Sequence, residues 1–337
     1  MTDRSAQLQE WLKRVLHTER VSLEPASGDA SFRSYWRLRH GARSLIAMDA
    51  PPEKEDTARF VRIGAALRSA GLHAPELLFE DEQRGFLLLE DLGERLYLDA
   101  LCDANVDRLY ADALAALAAM QACMPVAGLP VYDAPFLRTE LDLFPEWLLG
   151  RQLGIPLSDD DRAALERTWH YLIGSALEQP RVFVHRDFHS RNLMLTEPPS
   201  PGILDFQDAV FGPVTYDLVS LLRDCYIAWP RERVEAWARG YLSNAVQRGI
   251  LRAEQEATFQ RWFDLMGVQR HLKASGIFAR LNRRDGKPGY LADVPRTLDY
   301  VLQVAPDYPE LRWLAGLIEA RVLPALGQQP GSACRCP

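Results

Sequence analysis

The sequence predicts an α+β fold with two lobes: a small N-terminal lobe that holds an antiparallel sheet, and a larger, mainly helical C-terminal lobe. Between residues 21 and 47, aromatic and β-branched residues are interrupted by turn residues, which is typical of antiparallel hairpins. From residue 107 onward the chain is rich in alanine and leucine at helical spacing. Its length of 337 residues suits two structural units.

The N-terminal lobe is predicted to span residues 1–92. It opens with an amphipathic helix, because the apolar residues between Leu8 and Leu16 recur at helical spacing. The hairpin strands follow, and then a helix over residues 56–71 that stops at Gly71. The apolar run 86–89 is predicted to form a buried strand that ends the lobe.

The C-terminal lobe is predicted to span residues 93–327, and residues 328–337 are expected to lack a fixed structure. Short apolar runs between residues 182 and 206 indicate small strands that flank a site. The predicted helices cover residues 107–124, 217–229, 231–248, 256–281, 293–303 and 309–326.

Composition limits the classes of function. The net charge of −7 provides no basic surface that would neutralise a nucleic-acid backbone, so small molecules are the expected partners. No apolar run is long enough to cross a membrane, and the charged N-terminus argues against a signal peptide. The five cysteines are odd in number and scattered, which favours the cytoplasm. Cys334 and Cys336 are expected to lie in a frayed chain end, with a metal site as the alternative. Nothing indicates an obligate protein partner.

One segment, residues 182–213, carries the chemistry. It contains His185-x-Asp187, then Asn192, then Asp205-Phe206, an arrangement that protein kinases use for phosphoryl transfer. In that arrangement Asp187 accepts the proton of the attacking hydroxyl, while Asn192 and Asp205 provide oxygen ligands for Mg²⁺. A polar loop between two strands would explain any one of these residues, but not all three at these spacings.

The two nearby histidines carry less information. His185 is expected to brace the loop by hydrogen bonding. His189 is expected to face either solvent or the acceptor.

On these motifs the chain resembles the aminoglycoside phosphotransferase and choline kinase superfamily, and the resemblance covers most of its length. Residues 204–209 (LDFQDA) and 212–218 (GPVTYDL) match the next two segments of that superfamily. The resemblance implies a two-lobed protein-kinase-like fold, with ATP and Mg²⁺ as cofactors. It also implies that Asp217 caps a helix and ties down the catalytic loop.

The nucleotide end is less conventional. The turn after the first predicted strand has one glycine where a phosphate-binding loop would have three, so an ordinary hairpin turn remains an alternative. The resemblance also implies a hinge after the strand 86–89, whose backbone pairs with adenine. The residues expected at the nucleotide are Gly28, Asp29, Ala30, Ser31, Arg33, Glu90 and Leu92.

A lysine that pairs with phosphate is expected in the strand that contains Met48, and the chain has none there. Arg33 or Arg37 could supply the positive charge from the neighbouring strand, Lys54 could reach back, or magnesium could suffice. We favour an arginine.

The acceptor is predicted from charge. Arg270, His271 and Lys273 lie together on one predicted helix, and the alternative for each is a solvated polar face. Three basic groups in an acidic chain favour an anionic acceptor over a polycationic aminoglycoside. Together with residues 140–149 and 48–56, they resemble the bacterial anomeric kinases of N-acetylmuramate and N-acetylglucosamine in peptidoglycan recycling.

The predicted function is therefore an ATP- and Mg²⁺-dependent sugar kinase acting at the C1 hydroxyl, with Arg270 as the first candidate for the lactyl carboxylate of muramate. Two alternatives stay open. The first is phosphorylation of an aminoglycoside or a choline-like alcohol. The second is a non-catalytic binding module, which the missing lysine at Met48 favours and the intact Asp187, Asn192 and Asp205 oppose.

Overall fold

The computed structural model describes residues 3–27, 32–125 and 127–328. Its contacts divide the chain into two compact units. The N-terminal unit comprises Met1–Ala116 and Asn192–Asp208, and the C-terminal unit comprises Leu117–Arg191 and Ala209–Pro337. The expected end segment from residue 329 onward, with both of its cysteines, lies outside the described residues.

This division differs from a single break after residue 92, because a short hairpin from later in the chain joins the N-terminal unit. The N–H of Ile203 donates to the carbonyl of His73 at 2.7 Å, and the N–H of Leu195 donates to the carbonyl of Arg95 at 2.8 Å. These backbone hydrogen bonds tie the hairpin to a distant part of the chain, which no local pattern could indicate.

The N-terminal unit contains the predicted antiparallel sheet. Its five strands are β1 (Glu24–Ser27), β2 (Ser34–His40), β3 (Arg43–Asp49), β4 (Leu77–Asp81) and β5 (Phe86–Glu90), in the order β1-β2-β3-β5-β4. The predicted strand at residue 86 is central in the sheet and its apolar residues are buried on both faces. The helix Asp3–Val15 packs on one face of the sheet through Leu8, Trp11 and Leu12. The strand β4 was not predicted. The short hairpin that joins this unit consists of β7 (Leu193–Met194) and β8 (Gly202–Ile203).

The helices that begin in this unit match the sequence patterns closely. The predicted opening helix is confirmed as α1 (Asp3–Val15), and the next as α2 (Thr57–Ser69), whose N-cap Asp56 accepts the N–H of Arg59. The short helix α3 (Tyr97–Ala100) follows, and α4 (Val106–Cys123) agrees with its prediction within a residue.

The C-terminal unit is mainly helical, as predicted, and its core surrounds the 30-residue helix α9. Strands β6 (Arg181–Val184) and β9 (Val210–Pro213) form a two-stranded antiparallel sheet. The helices are α5 (Ala134–Leu141), a π-helix (Phe144–Gln152), α6 (Asp159–Leu177), α7 (Tyr216–Leu222), α8 (Arg231–Gln247), α9 (Glu256–Asp285), α10 (Val294–Val304), α11 (Arg312–Leu317), a second π-helix (Ile318–Val322) and α12 (Leu323–Gly327), with 3₁₀ turns at Ala253–Gln255, Pro288–Asp293, Ala305–Asp307 and Pro309–Leu311.

Two predictions for these helices were wrong in extent. The helix predicted over 217–229 ends at Leu222, because the carboxylate of Asp224 accepts the backbone N–H groups of Ser190 and Tyr226 and turns the chain. The helix predicted over 309–326 is divided into short segments. The helix α6 was not predicted, although Ser158 and Asp161 form a capping box at its start.

Within the described ranges, no helix is both long and apolar enough to cross a membrane.

Candidate active site

The loop that follows β6 is tied down by a buried carboxylate. Asp217 accepts the backbone N–H of His185 at 2.6 Å and that of Arg186 at 2.9 Å. Arg186 has φ of +80°, a left-handed conformation that is strained for any residue other than glycine. Burial raises the pKa of Asp217 to about 7, although the two backbone hydrogen bonds favour the charged form. The predicted tether is present, but Thr215 and not Asp217 is the N-cap of α7.

The side chain of Asp187, the predicted base, is an ionised carboxylate in this loop. This side chain is 39% exposed. Burial of the loop raises its pKa, but the positive charges of Lys273, Arg186 and Arg270 outweigh that effect and lower the pKa to about 2. The carboxylate is therefore ionised at neutral pH and able to accept a hydrogen bond from a hydroxyl group.

The two histidines of the loop have different surroundings. His185 is fully buried, and its Nδ1 accepts the backbone N–H of Asp187 at 3.3 Å, which is the bracing contact that the sequence suggested. His189 Nε2 lies 3.9 Å from Asp187 Oδ1, and its ring meets the edge of Tyr226. Burial lowers the pKa of His189, which favours the neutral imidazole.

Glu140 is a buried carboxylate near this loop that the sequence analysis did not single out. Its Oε1 accepts from Arg186 and, at 3.1 Å, from Lys273, and its Oε2 accepts from Tyr132 and Gln269. Burial raises the pKa of Glu140, but the charges of Lys273 and Arg186 lower it below its usual value. Its segment, 140–149, had been noted only for its resemblance to sugar kinases, without a role.

Only two of the three predicted acceptor residues share a face of α9. Lys273 is buried and donates to Tyr216 Oη at 2.8 Å as well as to Glu140. Arg270 is 5% exposed, and its Nη1 lies 3.6 Å from Cys225 Sγ. Both charges act on Asp187 and lower its pKa.

His271 points elsewhere, because successive helical residues are about 100° apart. Its Nε2 donates to the carbonyl of Arg223 at 2.8 Å, and its ring stacks on Tyr300. Burial lowers the pKa of His271 to about 3. The predicted basic cluster is thus a pair of cations, Arg270 and Lys273, with a neutral histidine in the core beside it.

In the N-terminal unit, the two predicted metal ligands lie side by side. Asn192 Nδ2 donates to Asp205 Oδ2 at 3.5 Å, and Gln207 Nε2 donates to Asp205 Oδ1 at 2.8 Å. Asp205 follows β8 with φ of +61°, another left-handed residue. The Asn192 amide and the Asp205 carboxylate provide oxygen donors of the kind that fits Mg²⁺, which takes few protein ligands and completes its shell with phosphate oxygens and water.

The next residue, Phe206, anchors this segment. Its buried ring stacks on Phe60 with centroids 4.8 Å apart. A Cβ at Gly64 would lie 3.1 Å from the Phe206 ring, so glycine allows this close contact with α2.

Arg33 is the candidate phosphate-binding residue that lies beside the two predicted metal ligands, Asn192 and Asp205. Its Nη2 donates to Asp205 Oδ1 at 3.2 Å, and its Nε lies 3.6 Å from Glu55 Oε2. Met48 is buried in β3, so that strand offers no charge at this position.

The other two candidate clamps are engaged elsewhere in the same unit. Arg37 bonds Asp91 at 2.7 Å and Glu94 at 2.7 Å. Lys54 Nζ lies 4.1 Å from the centre of the Phe32 ring.

Of the remaining nucleotide candidates, the structure describes only the hinge. The N–H of Glu90 donates to the carbonyl of Glu76 at 2.8 Å, so Glu90 can offer only its carbonyl to a base. Leu92 is half-buried. The predicted phosphate loop, Gly28, Asp29, Ala30 and Ser31, lies outside the described residues.

Comparisons with known proteins agree with this geometry. The sequence model of the phosphotransferase enzyme family matches residues 22–254. A protein of Pseudomonas aeruginosa named N-acetylmuramate/N-acetylglucosamine kinase is 51% identical over 298 residues, which cover 88% of each chain. A Neisseria meningitidis protein of the same name is 40% identical, covering 94% of this chain and 95% of that protein.

Among solved structures, a thermostable mutant of aminoglycoside phosphotransferase APH(4)-Ia, in a ternary complex with AMP-PNP and hygromycin B, has a TM-score of 0.60. The match covers 89% of this chain and 99% of that chain at 15% identity. At this identity the likeness shows a shared fold.

Proposed function

The chain belongs to the phosphotransferase enzyme family, and from this premise we propose that it is an ATP- and Mg²⁺-dependent kinase of the anomeric C1 hydroxyl of N-acetylmuramate and N-acetylglucosamine. The observation that carries the choice of acceptor is the 51% identity, over 88% of both chains, to a relative named for these two sugars. The proposal places the reaction in peptidoglycan recycling in the cytoplasm.

The charges around Asp187 support this acceptor over an aminoglycoside. Lys273, Arg186 and Arg270 all lower the pKa of Asp187, so the surroundings of the base carry cations. A polycationic acceptor would need an excess of carboxylates instead. A neutral or anionic sugar is compatible with these cations.

The proposed chemistry in the C-terminal unit is proton acceptance by Asp187. The loop is held by Asp217 and braced by His185, which fixes the carboxylate before the sugar arrives. As the sugar oxygen bonds to the γ-phosphorus of ATP, the bond from that phosphorus to the β–γ bridging oxygen breaks and ADP leaves, while the sugar hydroxyl proton moves to a carboxylate oxygen of Asp187. Because the pKa of Asp187 is about 2, the residue is a weak base whose main effect is to orient the hydroxyl group.

The proposed chemistry in the N-terminal unit is neutralisation of phosphate charge. ATP supplies the transferred phosphoryl group, and Mg²⁺ offsets the charge on its oxygens. Asn192 and Asp205 would hold the metal, and Arg33 would bind phosphate oxygens in place of the missing lysine. Because the chain retains residues suited to each of these roles, the alternative of a non-catalytic binding module is disfavoured.

The test is a coupled ADP-release assay on the purified protein with a panel of acceptors: N-acetylmuramate, N-acetylglucosamine, an aminoglycoside and choline. We expect turnover with the two amino sugars only. The position of the phosphate should be found by ³¹P–¹H NMR, with N-acetylglucosamine blocked as its methyl glycoside as the matched control. Turnover of the methyl glycoside would overturn the assignment of the C1 hydroxyl. Turnover of the aminoglycoside alone would overturn the assignment of an amino sugar as the acceptor.

A further inference from the structure

Arg191, which lies between the base and the first metal ligand in sequence, has no role in the proposed chemistry. It is half-buried, and its guanidinium lies 4.7 Å from the centre of the Tyr226 ring and 5.3 Å from that of Tyr290. Within the part of the chain that the structure describes, it forms no ion pair. The nearby Asp293 is bonded to Arg296 at 2.9 Å.

This arrangement is suited to binding an anion. Contact with the two rings and a side-chain hydrogen bond to Tyr226 hold the guanidinium in place. Because a guanidinium has five N–H donors, this hydrogen bond uses only part of its capacity to donate. An arginine held in this way can donate two parallel hydrogen bonds to a carboxylate.

Arg191 is also close to the reacting group. It is four residues from Asp187 in one loop, so their Cα atoms are at most about 14 Å apart. Side-chain contacts link the two: His189 lies 3.9 Å from Asp187, and its ring meets Tyr226, on which Arg191 rests. In N-acetylmuramate the acidic lactyl ether is on C3, two ring carbons from the reacting C1.

We propose that Arg191, held between Tyr226 and Tyr290, binds the lactyl carboxylate of N-acetylmuramate and thereby sets the preference between the two sugars. The inference rests on the proposed function. It replaces Arg270 in this role, because Arg270 is almost fully buried and packs against Cys225, whereas Arg191 is only half-buried. Arg270 and Lys273 then act on the charge of Asp187.

The first experiment changes the ligand and leaves the protein intact. Wild-type kcat/KM is compared for N-acetylmuramate, its neutral methyl ester and N-acetylglucosamine. We expect the ester to be used roughly 10- to 100-fold less efficiently than the acid, which is the range for loss of a charged hydrogen bond. An ester used as well as the acid would overturn the inference.

The second experiment changes the arginine. In Arg191→Gln we expect the roughly 10- to 100-fold loss to fall on N-acetylmuramate, mainly through KM, with N-acetylglucosamine changed by less than about threefold and the difference between acid and ester abolished. Arg191→Lys keeps the charge but not the paired hydrogen bonds, so we expect an intermediate loss on N-acetylmuramate. Arg151→Gln is the control, because Arg151 also lies on an aromatic ring, Trp147, but is exposed and ion-paired with Glu146.

The outcomes separate the two proposals. If the wild-type protein phosphorylates neither sugar, the proposed function fails and this inference fails with it. If the wild type uses both sugars but Arg191→Gln loses both equally, or neither, the proposed function stands and the assignment of Arg191 is wrong. Turnover of N-acetylglucosamine by Arg191→Gln also shows that the variant is folded.

Discussion

Two aspartates of the C-terminal unit have pKa values that are shifted in opposite directions, and their neighbours explain why. Asp187 is surrounded by Lys273, His189 and Arg186, and its pKa falls to about 2. Asp217 has two backbone N–H groups as its hydrogen-bond partners, so burial dominates and its pKa rises to about 7. The first stays ionised and can accept a hydrogen bond from a bound hydroxyl group, and the second holds a loop.

Replacing the proposed base tests its role directly. Asp187→Asn keeps the shape of the side chain but removes its charge, so we expect kcat to fall roughly 10²- to 10⁴-fold with little change in the Kd for ATP. Steady-state kinetics and nucleotide titration measure the two effects. Asp299→Asn, an exposed aspartate of α10, is the matched control. Near-normal turnover in Asp187→Asn would exclude it as the base.

The pH dependence follows from the direction of the same shift. Since the pKa of Asp187 in the folded protein is about 2, below its usual value of 3.8, the carboxylate stays ionised down to about pH 3. Its stabilising effect is present above about pH 4 and is lost as pH falls through 2. We expect the pH profile of kcat/KM between pH 5 and 8 to show no acidic limb that belongs to Asp187. An acidic limb above pH 5 that shifts when Lys273 is replaced by methionine would contradict this.

Arg33 lies directly before β2 and Arg37 lies within it. The two arginines have different bonding partners, so substitutions at them form a matched pair. Arg33 lies beside Asp205, whereas Arg37 is held by Asp91 and Glu94. We expect Arg33→Gln to raise the KM for ATP and lower kcat together, because a phosphate clamp acts in both the ground state and the transition state. Arg37→Gln should leave both constants within about threefold of wild type. If Arg37→Gln changed both constants and Arg33→Gln changed neither, Arg37 would be the residue that binds phosphate.

At the level of elements, close helix packing positions the basic face of α9. A Cβ on Gly276 would lie 2.5 Å from the backbone of Leu143, at the start of the π-helix Phe144–Gln152. Lys273 and Arg270 are on the same helix, about one and two turns before this contact. Glycine at 276 therefore fixes how closely α9 approaches the π-helix.

Alanine at this glycine should be destabilising. Because backbone atoms must move, we expect Gly276→Ala to lower the free energy of unfolding by about 1–3 kcal/mol. Gly174→Ala is the control: no atom lies within 4 Å of a Cβ there, and alanine should stabilise the exposed face of α6 by about 0.5–1 kcal/mol. Urea denaturation measures both. Equal effects of the two substitutions would mean that the contact at Leu143 relaxes freely.

At the level of the whole molecule, the proposed metal ligands and the proposed base belong to different compact units, although only four residues separate Asp187 from Asn192 in the chain. In the proposal, each unit therefore supplies a different part of the chemistry. We therefore expect the effects of substitutions at the proposed metal ligands to be separable from the effects of substitutions at the proposed base.

Binding measurements can check this separation. In Asp205→Asn we expect the Kd for ATP to be the same with Mg²⁺ and with EDTA, because the carboxylate that holds the metal is lost, while sugar binding is kept. Asn192→Ala should lose part of the metal dependence. Asp187→Asn should keep all of it. Undiminished metal dependence in Asp205→Asn, measured by calorimetry, would remove that residue from the metal site.

The sequence by itself determined the fold class and the short motif. Apolar periodicity is local, so α1, α2, α4 and the strand at residue 86 could be predicted from their own residues. The spacing of Asp187, Asn192 and Asp205 is also local to one segment. The family, phosphotransferase, followed from that spacing.

Tertiary structure alone decided which charges meet. His271 and Lys273 are two residues apart, yet one lies in the core beside Tyr300 and the other bonds Glu140, which is more than a hundred residues away in sequence. Arg33, 172 residues from Asp205, could be distinguished from Arg37 only by their contacts. Electrostatic energy depends on distance in space and on burial, and neither is written in the order of residues along the chain.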